Sequence, residues 1–86
     1  MSPEKPIRRF AQSARKHRIG KTSARYVMDI YEPKKFDDEG TSKLLWLGSD
    51  ERGRELEVIA IDYETFFLVI HVMPVSFNRR RKKNEA

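Results

Sequence analysis

IRRFAQSA, residues 7–14, places apolar side chains at Ile7, Phe10, Ala11 and Ala14. That i, i+3, i+4, i+7 spacing lines one face of an α-helix, and reading it so makes the start of the chain helical. Pro3 and Pro6 fit near such a helix's first turn, where backbone N–H groups have no intrahelical partner. Arg8, Arg9, Arg15 and Lys16 turn mostly away from the stripe, and Gly20 reads as a left-handed residue that ends it. The spacing then repeats at Ala24, Val27, Met28 and Tyr31. Thr22 or Ser23 is placed to cap this second helix, and Pro33 stops it just past the stripe.

Residues 34–43, with FDDEG at their centre, show no periodicity and read as a loop. From Leu44 the pattern becomes that of strands. LLWLG is a short apolar run, SDERG has turn composition, and RELEVIAIDY alternates Leu56, Val58 and Ala60 against Glu57, Ile59 and Ile61. A second turn at Tyr63–Thr65 leads into FFLVIHVM, apolar on both faces and ended by Pro74. The expected fold is therefore α+β: two short N-terminal helices packed on a small antiparallel sheet of three to four strands, the fourth near Val75–Phe77. Residues 1–78 form a single domain, followed by a basic, flexible tail at 79–86.

The chain has 86 residues and a formal net charge of +5. Eight Lys and Arg lie between Lys5 and Arg25, five more fill Arg79–Lys83, and the stretch between Glu32 and Glu64 is net acidic. Two basic segments flanking a near-neutral core suit phosphate-rich or acidic partners. The absence of cysteine excludes disulfides and thiolate chemistry and agrees with a reducing compartment. Neither a signal peptide nor a run of the roughly 20 apolar residues that span a bilayer is found, so a cytoplasmic protein without membrane contact is expected.

The sequence has no glycine-rich phosphate loop, no Gly-x-Ser-x-Gly elbow and no His-Glu-x-x-His. With two histidines far apart, neither a metal site nor a cofactor is expected. What remains suits one reaction class, the metal-free cleavage of RNA. There a base deprotonates the 2′-OH, an acid protonates the leaving 5′-oxygen, and cations neutralise the phosphorane-like charge. Histidine titrates near neutrality and serves on either side, while arginine stays charged and grips phosphate with a forked donor set.

His71 is the first candidate for acid/base work. By alternation it shares a face with Phe67, Val69 and Met73. Either it is a core histidine bonded to a backbone carbonyl, or that face is open and His71 works there. His17, in RKHR at the end of the first helix, is the second candidate, or else a solvated helix end. Lys16, His17, Arg52, Arg80 and Arg81 are candidates for RNA contact, and Trp46, Tyr63 and Phe77 for base stacking or core packing. Glu55 and Glu57 are expected to temper the charge of Arg52 and Arg54.

Taken in order, FAQSARKHRIGKTSARYVM and LWLGSDERGRELEVIAIDYETFFLVIHV resemble BrnT-like toxins of bacterial toxin–antitoxin pairs. The resemblance rests on Lys16, His17 and Gly20, then Ala24, then Gly53 and Arg54, and spans roughly residues 10–72. Two residues, Arg18 and Ile19, separate His17 from Gly20, and MPVSFNRR follows the last strand where those toxins run on into Ser-Ala-Arg. The resemblance implies a RelE-like fold, a metal-independent endoribonuclease of a type II toxin–antitoxin pair, and a cognate antitoxin as partner. The catalytic set is then His71, from the strand reading, with Arg54, and with Arg79 taken from its place near the tail for the arginine that the resemblance implies but does not place. Two other classes stay open: a noncatalytic nucleic-acid-binding module, and an interaction subunit whose basic helices bind an acidic protein.

Overall fold

The computed structural model describes residues 7–75. The tail at 79–86 and the expected fourth element near Phe77 lie outside them. The chain forms β1 (Ile7–Phe10), a 3-10 turn (Gln12–Arg15), α1 (Lys21–Ile30), β2 (Lys34–Asp38), β3 (Thr41–Ser49), β4 (Glu55–Asp62) and β5 (Phe66–Pro74). The strands make one mixed sheet in the order β1-β5-β4-β3-β2, with β1 parallel to β5 and every other pair antiparallel.

This corrects the expected two helices on a three- to four-stranded antiparallel sheet of RelE/BrnT type. Among the described residues there is a single α-helix, and the sheet has five strands. IRRF is a strand because the outer edge of β5 offers unpaired backbone groups that β1 satisfies, from Ile7 opposite Phe66 to Phe10 opposite Val69. The helix-like spacing arises differently: Phe10 packs on the core at the strand's end, and the 3-10 turn buries Ala14. Alternation sends Arg8 towards the helix, where it pairs with Asp29, and Arg9 to the other face, where its guanidinium lies 4.9 Å from the Phe66 ring centre. Gly20 is extended (φ −67°) and precedes α1 instead of ending a helix; the left-handed residue here is Arg18, at φ 58°.

The stripe of α1 is as spaced in the sequence. Ala24, Val27 and Met28 are buried against one face of the sheet, which contributes Leu44 and Trp46 from β3, Leu56, Val58 and Ala60 from β4, and Phe67, Val69 and Val72 from β5. Trp46 meets Phe67 edge-on at 5.6 Å, so its ring belongs to the core and not to a base-stacking surface. Tyr31, just past the helix, lies flat on Gly48.

Residues 34–43 are not a loop. They form β2 and a two-residue turn, Glu39-Gly40, in which both residues take positive φ (52° and 83°), as a type I′ hairpin requires. Every residue of β2 is exposed, which removes the alternation by which a strand is recognised.

A β-carbon at position 48 would collide with the Tyr31 ring. Gly48→Ala is therefore expected to cost about 1–3 kcal/mol of stability by urea denaturation. The loss should be much smaller in a Tyr31→Ala background, where the ring is gone.

Candidate active site

β5 does not alternate evenly. Opposite β4 its register runs Ile59 to His71 and then Ala60 to Val69, which leaves Ile70 as an extra residue, a β-bulge. The bulge inverts the pattern beyond it. Phe67, Val69 and Val72 all point into the core, while His71 and Met73 turn to the helix-free face. The expected face shared by Val69, His71 and Met73 thus does not exist as one surface.

The segment after β1 stays bonded to β5, first by a regular ladder bond and then at the bulge residue. Ala11 N–H donates to the Val69 carbonyl at 2.8 Å, and the Ser13 hydroxyl donates to the Ile70 carbonyl at 2.7 Å. These bonds hold the 3-10 turn against β5 and carry the chain on to His17. There the His17 and His71 rings meet edge to face, with centroids 6.3 Å apart and planes at 78°.

Glu57 completes the group. Met73 and Ile59 are the register partners of Glu57 and His71, so the two side chains are diagonal neighbours on one face of β4 and β5. Their atoms Nε2 and Oε1 are 2.9 Å apart. With side-chain exposures of 31% for His71 and 22% for Glu57, the pair is half-buried and still reachable. A carboxylate on Nε2 orients the imidazole and favours the tautomer with its proton there, which leaves Nδ1 as a proton acceptor. Two imidazoles and one orienting carboxylate are a minimal acid/base set.

The other expected site residues are placed as follows. Lys16 is exposed beside His17. Arg54 stands at the β3–β4 turn, where its guanidinium pairs with Asp50 at 2.8 Å and donates to the Ser23 hydroxyl of α1 at 3.3 Å. Arg52 is exposed in the same turn, and its backbone N–H donates to Asp50. Arg79, Arg80 and Arg81 lie outside the described residues. So the structure brings together the two histidines, and holds Arg54 in a clamp between turn and helix.

Glu57 is the residue sequence reasoning assigned elsewhere, as a counter-charge to Arg52 and Arg54. Its alternation on β4 was visible, but its approach to His71 depends on the bulge. A second cluster lies on the same helix-free face: Tyr63, 43% exposed, stacks on Phe66 at 4.9 Å, and Arg9 covers that ring from the other strand.

Among the described residues no helix is long and apolar enough to cross a membrane. Comparison with protein-family models, with curated proteins and with solved structures finds no match.

Burial of Asp50 works to raise its pKa, but the backbone N–H groups of Arg54 and Arg52 and the Arg54 guanidinium together outweigh that and hold it below the usual value. A carboxyl depressed by folding contributes stability above its unfolded pKa of about 4 and loses it as pH falls through the folded value. Stability should therefore decline on acidification below about pH 4. Asp50→Asn should cost about 2 kcal/mol at neutral pH and flatten that acid limb, as read by denaturation across a pH series.

Proposed function

We propose that this chain is a metal-independent endoribonuclease acting as the toxin of a type II toxin–antitoxin pair. The observation that carries the reading is the edge contact of His17 with His71, with Glu57 bonded to His71. In this mechanism Nδ1 of His71 removes the 2′-OH proton of the substrate ribose. The 2′-oxygen then attacks its own phosphorus, and the P–O5′ bond breaks with its electron pair on the 5′-oxygen. Protonated His17 gives that oxygen its proton, so the products are a 2′,3′-cyclic phosphate and a 5′-hydroxyl. Glu57 keeps the His71 ring in the productive tautomer and stabilises the imidazolium once it forms.

Substrate binding rests on the same face. Tyr63, Phe66 and Arg9 offer a base a stacked, cationic platform. Phe66 and His71 are separated by roughly 15 Å of strand, so a single strand of RNA can stack at one point and be cut at the other. Lys16 beside His17 supplies charge for the phosphate, and a cognate antitoxin of acidic character would cover this surface. The toxin role rests on the sequence likeness of Lys16, His17, Gly20, Gly53 and Arg54 to BrnT-like motifs alone, since a strand and a 3-10 turn stand where that likeness expects a first helix.

The test is cleavage of single-stranded RNA by the purified chain in EDTA, together with growth arrest on expression. His71→Ala and His17→Ala are each expected to lower the rate by about 100-fold or more, and Glu57→Gln by less. A folded wild-type chain that binds RNA in a salt-sensitive way but never cleaves it would leave a noncatalytic binding module instead.

A further inference from the structure

β2 is the outermost strand at one end of the sheet, and all five of its residues are exposed. Its sequence, KKFDD, has a property that appears only when it is written against itself. Run antiparallel about Phe36, Lys34 faces Asp38, Lys35 faces Asp37, and Phe36 faces Phe36 of the second copy. We propose that two copies of this chain associate by antiparallel pairing of β2 with β2, centred on Phe36.

The hydrogen-bonding pattern permits this register. The turn Glu39-Gly40 makes Asp38 and Thr41 the closing, hydrogen-bonded pair of the β2–β3 hairpin. Alternation makes Phe36–Lys43 and Lys34–Leu45 the other bonded pairs. The N–H and C=O groups of Lys35 and Asp37 therefore point outward, away from β3. Across the twofold, Lys35 of one copy and Asp37 of the other exchange both of their backbone bonds. Phe36 then becomes a non-bonded pair with its own copy, the pair type that brings side chains closest. Lys34, Phe36 and Asp38 lie on one face and Lys35 and Asp37 on the other, so each Lys has an Asp directly across the strands on both faces.

A charged edge strand ordinarily discourages pairing. Here the charges repel a parallel copy, or one slipped by two residues, which sets Lys35 against Lys35 or Asp37 against Asp37. A one-residue slip would set outward backbone groups against inward ones, so the centred antiparallel register is the one accepted. The contact is isologous and closes at two copies. The twofold runs perpendicular to the joined sheet, so both His71 faces open on the same side. The association stands whether or not that site cleaves RNA.

The test uses the full chain, with sedimentation equilibrium from about 10 μM to 1 mM, a range suited to a contact of this small size. Lys35→Asp alone sets Asp against Asp37 twice, and Asp37→Lys alone sets Lys against Lys35 twice. Each should weaken the dimer by about tenfold or more. The double variant Lys35→Asp, Asp37→Lys should restore it, and an equimolar mixture of the two single variants should form a mixed dimer. Both positions are exposed, and an unchanged circular dichroism spectrum and melting temperature confirm that each variant is folded. In the wild type, amide exchange at Lys35 and Asp37 should slow with concentration while Phe36, already bonded to β3, changes little. A monomer at every concentration, a dimer indifferent to the single variants, or one that the double variant fails to restore would overturn the proposal.

Discussion

One extra residue in β5 sets the rest of the molecule. The bulge at Ile70 turns His71 from the core to the helix-free face, and the bulge residue's carbonyl accepts from the Ser13 hydroxyl, just beyond the last β1 ladder bond, from Ala11 N–H to the Val69 carbonyl. Without it, strict alternation would carry His71 inward with Val69, burying an imidazole beside Trp46 and Val58 and away from Glu57, which stays on the other face of β4. A single backbone irregularity thus orients one histidine and delivers the other.

The second organising contact is electrostatic and lies at the β3–β4 turn, against α1. Asp50, only 4% exposed, accepts from two backbone N–H groups and one guanidinium, and that guanidinium also reaches Ser23 on α1. The tight β3–β4 turn is thereby tied to the helix that covers the sheet. A buried carboxylate with this many donors is well matched to its surroundings, and leaving Arg54 without it would strand a cation at the helix. The motif Gly53-Arg54 has an architectural use that its likeness to a toxin motif does not convey.

What the sequence discloses follows from what is local. The stripe Ala24, Val27, Met28 and Tyr31 and the alternation Leu56, Val58, Ala60 each reflect one element against one surface, and both occur as spaced. β1 reads as a helix because four strand residues and one 3-10 turn together reproduce a helical period, and only a parallel partner 59 residues on, as Phe66 is to Ile7, distinguishes them. β2 was missed because it is exposed on every side, although Glu39-Gly40 is a hairpin signal in its own right. His17 and His71 were both legible as candidates. Their meeting, and Glu57 with them, was not, since the bulge that joins them has no signature in FLVIHVMP.

The parallel pairing of β1 with β5 has a consequence for how the molecule comes into being. During synthesis the chain leaves the ribosome N-terminus first, at about 5–20 residues per second. β1 is among the first described segments to emerge, and its partner the last. It must wait without its backbone bonds while the hairpins β2–β3 and β3–β4, whose contacts are short-range, are free to close. Joining the two ends then incurs a closure entropy of about 3–4 kcal/mol. Since the same step brings His17 against His71, the histidine pair stays unassembled in the nascent chain until β5 is in place. Any chain halted before residue 71 carries one half of the pair and none of the other.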